Sequence, residues 1–437
     1  MPGGFVDGRR GTMLNLSLWP KREDLYNHLV ELIEASEGSN EIIALIVLDL
    51  DNFREFCELF GYRDIDEFLV KLGKEIKQAC PPKSFVAWLG SDEFAVVLEN
   101  INKEVVRSVA GRICDTLTKS RVYRQQRIHV SASIGVAFVP DDAKDCYEML
   151  KNATIAMNWV KKHGKNGYRC YEPSMSAQIS RKLNLINDFD LALADNHFHL
   201  QYQPQVSVAA KKIIGVEALI RWHHPELGLI PPLDFIPIAE ETGHIHQVGE
   251  WVLKNACSDF SLWLQEGLLL ERIAVNVSII QLREENFAQR VLEILEEVQL
   301  DPAYLELEIT ESQTLNLQQV KPQIEALRKR GVKFAIDDFG TGFASLNHLR
   351  FMGFDTIKID KGYIHNITTN NRDRVIVGSI LNMATLLQLR IIAEGVETYE
   401  QWNYVREMSI GEVQGYYCWP PIDEKEVIGL LEGCAIS

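Results

Sequence analysis

The chain has 437 residues, 46% of them apolar, which suits two or three full-sized domains and argues against disorder. Its formal charge of −16 argues against DNA or RNA as the main ligand, because binding a polyanion rests on basic patches; a small anionic nucleotide held by cations stays compatible. The cysteines (Cys57, Cys80, Cys114, Cys146, Cys170, Cys257, Cys418 and Cys434) are scattered and form no C-x-x-C, so neither a zinc site nor a disulfide framework is indicated and reduced thiols are expected. No apolar run approaches the roughly 20 residues of a membrane span; Ile42–Leu50 is short and already contains Asp49. Met1–Arg10 has no apolar segment of the kind a secretory signal needs. A cytoplasmic protein, or the cytoplasmic part of a longer one, is the expectation.

In chain order, apolar spacing predicts a helix over Arg22–Ala35, a strand over Glu41–Leu50 and a helix over Ile65–Gln78, the last carrying Phe68, Leu69, Leu72 and Ile76 on one face. Phe85–Leu89 and Phe94–Leu98 read as strands around the turn Gly90-Ser91-Asp92-Glu93. A helix over Val105–Leu117, a strand over Ile128–Phe138 and a helix over Tyr147–His163 follow. This order predicts an α+β domain over residues 21–171, with an antiparallel-centred sheet and helices on one side. Glu172–Asp195 reads as polar and helical; residues 172–182 are assigned as the linker and 183–437 as the second domain.

From His199 strands and helices alternate. Candidate strands are 199–204, 213–219, 272–278, 304–310, 332–338, 356–360, 390–394 and 412–417. Eight strands over about 240 residues match a (β/α)8 barrel, whose chemistry lies at the C-terminal strand ends. Glu217, Asn276, Glu308, Asp337, Lys358 and Glu394 fall at or near those ends, and Gln414 lies within the last strand. Taken singly, each is ordinary capping or surface chemistry. Seven together in one barrel are not, and acids beside apolar strands call for cations. Asp337 and Asp338 are consecutive; a turn at the strand end can let both converge, and one carboxylate can then bridge two cations. Such a pair of ions clamps an in-line phosphoryl displacement, and Lys358 adds a donor for a water or a phosphate oxygen. The class indicated is a metal-dependent hydrolase of phosphate esters.

Residues 183–437 resemble the EAL phosphodiesterase domain, which hydrolyses cyclic di-GMP. The motifs are Glu217-Ala218-Leu219-Ile220-Arg221-Trp222, Asn276-Val277-Ser278, Glu308-Ile309-Thr310-Glu311-Ser312, Asp337-Asp338-Phe339-Gly340-Thr341-Gly342, Lys358-Ile359-Asp360, Ala393-Glu394-Gly395-Val396-Glu397 and Gln414-Gly415-Tyr416. The resemblance implies that Glu217, Asn276, Glu308 and Asp337 ligate one Mg²⁺ or Mn²⁺, and that Asp337, Asp338 and Glu394 hold a second. It implies that Lys358 orients the attacking water with help from Glu394, and that Gln414 positions water or substrate. Gln203 and Arg221 would contact the dinucleotide, Arg221 at phosphate. Glu311 would anchor loop 339–345 and Glu397 would support the metal shell. The departures, Phe343-Ala344 where Tyr-Ser is common and Cys418-Trp419 in the final loop, remove no ligand. The resemblance further implies the linear product pGpG and a homodimer paired through barrel helices.

Gly90-Ser91-Asp92-Glu93-Phe94 on the predicted hairpin resembles the signature of a GGDEF diguanylate cyclase domain, which commonly precedes EAL domains. Taken alone, it is ordinary hairpin chemistry. Asp49 and Glu93 occupy metal-ligand positions, Asp92 the catalytic acid position and Asp66 a guanine contact, while Lys161 and Lys165 are placed for phosphates. Ser91 replaces a glycine that lets backbone lie against substrate, and Cys57 stands where an asparagine reads guanine with a donor–acceptor pair that a thiol lacks. The Arg-x-x-Asp inhibitory motif is replaced at Pro81 and Ser84. The expectation is a domain that has lost synthesis and retains a regulatory GTP site. A non-catalytic cyclic di-GMP receptor and a bifunctional cyclase–phosphodiesterase are the alternatives.

Overall fold

The computed structural model describes residues 19–36, 38, 41–60, 65–342 and 353–433. Phe343, Ala344 and Cys434 lie outside them. The chain divides into two compact units at Arg181/Lys182, within the helix Pro173–Ala194.

In the first unit, β1 (Ile43–Leu50), β2 (Phe85–Gly90), β3 (Glu93–Glu99), β6 (Ala132–Val139) and β7 (Gly167–Cys170) form a sheet in the order β2-β3-β1-β6-β7. All pairs are antiparallel except β6–β7. A separate hairpin joins β4 (Arg121–Tyr123) and β5 (Gln126–Ile128). Every residue of β1 is buried, so both of its faces need cover. Ala44, Ile46 and Leu48 pack with Phe53, Phe68, Leu72 and Val109, whereas Ile43, Leu45 and Val47 pack with Leu25, Leu29, Met149 and Ala153. Helices therefore line both faces, which corrects the one-sided expectation. The helix Phe53–Phe60 and strand β7 were not anticipated either.

The second unit is an eight-stranded closed barrel. Its strands are β8 (Phe198–Ser207), β9 (Lys212–His224), β11 (Arg272–Asn276), β12 (Leu305–Thr310), β13 (Lys333–Phe339), β14 (Thr356–Ile359), β15 (Arg390–Glu394) and β16 (Glu412–Gln414), with β10 (Gly228–Ile230) and β17 (Ile422–Asp423) as short additions. β9 and β11 to β16 run parallel. β8 runs antiparallel to both β9 and β16 and closes the ring. This modifies the regular (β/α)8 expectation, and the chain length explains it: the short stretch between the two strands cannot hold a crossover, which takes about a dozen residues or more. β9 also continues well past Glu217, because Trp222 pairs with Phe198 and buries its ring completely.

Candidate active site

Parallel register sets the site. Asn276 pairs with Glu308, Thr310 with Asp337, Glu394 with Gln414, and across the antiparallel seam Gln203 with Glu217. Alternation then turns these side chains into the barrel mouth. Lys358 on β14 reaches Glu217 on the non-neighbouring β9, so the contact crosses the interior.

Lys358 is fully buried. Its Nζ lies 2.6 Å from Glu308, 2.8 Å from Glu394, 2.9 Å from Glu217 and 3.3 Å from Asp337. Burial opposes its charge, but the Asp337, Glu217, Glu308 and Glu394 carboxylates outweigh burial and hold the ammonium well above its usual range. Glu217 is also driven up by burial, yet Lys358 and the amides of Gln414 and Asn276 prevail and hold it below the ordinary carboxylate value. Gln414 Nε2 donates to it at 2.7 Å and Asn276 Nδ2 at 2.6 Å. Burial pushes Glu308 and Glu394 well up.

Asp338 has φ of +53°, a left-handed conformation that asparagine and aspartate tolerate best, at a register break between Ile336 and Phe339. That break breaks the strict alternation of faces: carboxylate oxygens of Asp337, Asp338 and Glu394 lie within 4.8 Å of one another. Asp338 is raised to about 6, by burial first and then by Asp337. Glu311 accepts from Gly340 N–H at 2.6 Å and Gly342 N–H at 3.0 Å, tying the loop to the end of β12. The packing there is close, since a Cβ on Gly340 would meet Tyr363 Cε2 at 2.5 Å.

The donor set suits a hard divalent cation, being carboxylates and one amide oxygen. Glu308 Oε1 is buried without a hydrogen-bond partner among the described residues, as expected of an oxygen reserved for a ligand. Five carboxylates (Glu217, Glu308, Asp337, Asp338, Glu394) face one ammonium, so the unprotonated cluster carries a formal excess of four negative charges.

A groove of about 340 Å³ opens beside the cluster, lined by Arg221, Pro237, Asn276, Val277, Asp337 and Asp338 among others. Arg221 Nε donates to Gln201 Oε1 at 2.9 Å. Gln203, level with Glu217 across the seam, is buried, accepting from Gln414 at 2.9 Å and donating to the Trp419 carbonyl at 3.3 Å. Glu397 is exposed, three residues past Glu394, and its backbone N–H donates to Gln401 Oε1 at 2.7 Å. Sequence reasoning missed Gln205, Arg272, Glu306 and Glu412, all on the barrel interior. The signal was there: Gln205, Glu306 and Glu412 each lie two residues from a chosen residue on the same strand, hence on the same face.

In the first unit, Lys161 lies 2.6 Å from Asp49, which is raised to about 6 mainly by burial. Glu93 pairs with Arg22 at 3.4 Å, Lys165 donates to Asn52 at 2.6 Å, and Asp66 is exposed on the first turn of its helix. Asp92 lies at the hairpin turn, close enough to Asp49 and Cys57 to raise both. Ser91 has φ of +49°, the region a glycine adopts without cost.

The EAL domain model matches residues 186–421. The chain belongs to the EAL family. The model of the diguanylate cyclase GGDEF domain matches residues 16–167, so this is a GGDEF–EAL chain. EAL domains depend on divalent metal, in keeping with the donor set above. An uncharacterized signaling protein of Caulobacter vibrioides is 39% identical over 90% of the chain, which spans 49% of that relative. The bifunctional diguanylate cyclase/cyclic di-GMP phosphodiesterase MucR of Pseudomonas aeruginosa is 34% identical over 95% of the chain and 61% of MucR. The chain thus spans 49% and 61% of the length of these two relatives. A solved structure of the MucR phosphodiesterase in complex with c-di-GMP superposes with a TM-score of 0.54 at 38% identity, over 56% of this chain and 99% of the other. Among the described residues no helix is long and apolar enough to cross a membrane.

Proposed function

We propose that this GGDEF–EAL chain hydrolyses cyclic di-GMP to 5′-pGpG with two Mg²⁺ or Mn²⁺ ions. The observation that carries this reading is the buried acid cluster around Lys358: two divalent cations cancel its formal excess of four negative charges. Glu217, Asn276, Glu308 and Asp337 would hold one ion, and Asp337, Asp338 and Glu394 the other. When bound, the ions would supply Lewis acidity at the phosphoryl oxygen and make the attacking water more acidic.

The chain's own groups do the rest. Arg221 and the groove beside it hold a phosphate and its nucleoside. Lys358 orients the attacking water, and Glu394 accepts its proton. The water oxygen bonds to phosphorus, the P–O3′ bond breaks, and the 3′ oxygen takes up a proton. Gln414 fixes Glu217, and Glu311 holds the Gly340–Gly342 loop against the ligand acids. Purified chain incubated with cyclic di-GMP and Mg²⁺ should yield pGpG, and chelation should stop it. Tight binding of intact cyclic di-GMP with no turnover would place the chain among receptors instead.

The same proposal assigns the first domain a regulatory part. Ser91 and Cys57 oppose synthesis, while Asp49, Glu93, Lys161 and Lys165 keep the charges of a GTP site. Incubation with GTP and Mg²⁺ should give no cyclic di-GMP; cyclic di-GMP formed there would make the chain bifunctional. A GTP titration with no binding heat and no change in hydrolysis would contradict the regulatory part. Pairing of two copies through barrel helices belongs to the proposal and is read by light scattering.

A further inference from the structure

Beneath the acid cluster lies a second set of buried polar groups, on the barrel floor. Arg272 is 1% exposed. It forms an ion pair with Glu412 and lies 3.7 Å from Glu306, which also accepts from Arg390 and, at 2.9 Å, from Thr356 Oγ1. β11 and β16 are not neighbours, so the Arg272–Glu412 contact spans the interior. Nε, the atom 3.7 Å from Glu306 and so beyond hydrogen-bond reach of it, donates instead to Gln205 Oε1 at 2.8 Å.

From there a chain of amides climbs to the site. Gln205 Nε2 donates to Gln414 Oε1 at 3.2 Å, and Gln414 Nε2 donates to Glu217 Oε2 at 2.7 Å and Gln203 Oε1 at 2.9 Å. An amide can face either way, and its contacts decide which. A guanidinium has donors only, so Gln205 must turn its oxygen toward Arg272. Its nitrogen then faces Gln414, whose oxygen must face back, and the Gln414 nitrogen is left pointing at Glu217. Reversing one amide sets donor against donor where Gln205 is fully buried. Gly215 makes the room: a Cβ there would meet Arg272 Cγ at 2.7 Å and Gln205 Oε1 at 3.2 Å.

We propose that Arg272 and Gln205 are positioning residues: their one-way relay fixes the Gln414 amide so that it always donates to Glu217, which keeps that carboxylate aimed as a cation ligand. This rests on the divalent-metal reading of the site. Groups that orient ligands in this way are worth about 10–100-fold in metal affinity.

Gln205→Glu tests it in the whole chain. The new carboxylate still accepts from Arg272 at nearly the same volume but, ionised, cannot donate to Gln414. Free Mn²⁺ is followed by electron paramagnetic resonance during titration, and unfolding is followed in chelator. The expected result is Mn²⁺ binding weaker by roughly 10–100-fold with an unfolding temperature within about 3 °C of wild type. Gln205→Met, uncharged and unable to make either bond, should show the same loss of Mn²⁺ affinity and decides the matter where the Glu variant does not fold. Wild-type Mn²⁺ affinity in a folded variant overturns the relay. So does an affinity loss that only tracks lost stability, because a plug in the barrel floor gives that much. A wild-type chain whose Mn²⁺ binding is absent or indifferent to Asp337→Ala overturns the site reading, and the relay with it.

Discussion

Replacing Lys358 by Met separates the charge of the cluster from its shape. Met fills most of the same volume and removes an ammonium that touches four carboxylates between 2.6 and 3.3 Å. Removing one partner of a buried ion pair costs about 3–5 kcal/mol. Four such contacts do not multiply that figure, because burial already favours the protonated forms of Glu308 and Glu394 and these acids can take up protons instead. At roughly 2–4 °C per kcal/mol for a domain of this size, the barrel's transition in chelator should fall by about 6–20 °C. Mn²⁺ then supplies the missing positive charge, so it should raise the variant's Tm by more than it raises that of the wild type. Hydrolysis should stay at least about 100-fold down, since the group that orients the water is gone. Differential scanning calorimetry with and without Mn²⁺, alongside a turnover assay, reads all three. A variant as stable as wild type in chelator, or one that still turns over normally, refutes the reasoning.

Other outcomes follow from the same geometry. Glu217→Ala or Asp337→Ala should abolish hydrolysis, while Asp92→Ala in the first domain should leave it largely intact; the reverse pattern would move the site. Without metal, Asp338 has a folded-state pKa raised from 3.8 to about 6, so it favours folding below the lower value and loses that contribution as pH rises through about 6. Asp338→Asn should therefore match wild type near pH 4 and gain on it by pH 7 in chelator, and equal stability curves across that window would count against the burial argument. Gly340→Ala should cut turnover at least about tenfold, because φ of +106° and the nearby Tyr363 ring both reject a side chain; unchanged kcat would show that the loop tolerates movement.

The barrel was legible because its parallel strands are short apolar runs and each carries its polar group near the C-terminal end. What the sequence hid was direction and depth. The stretch between the first two candidate strands is too short for a crossover, so the antiparallel start could have been read from spacing alone. Phe53, Phe56, Cys57 and Phe60 repeat at helical spacing, so the missed helix was also readable. Convergence of Asp337 and Asp338 was anticipated, but its means, a left-handed Asp338 at a register break, is a tertiary detail. Arg272 escaped notice because an arginine at the start of a strand looks solvated until the closed ring buries it. Glu397 shows the opposite case: it stands close to Glu394 in sequence, yet the chain has left the strand by then and the side chain is exposed.

The most direct test of the central claim is chromatography of cyclic di-GMP incubated with the purified chain and Mg²⁺. The account predicts pGpG that accumulates with time and disappears when the metal is chelated. Intact cyclic di-GMP at every time point, with Mn²⁺ and GTP also supplied, would contradict it.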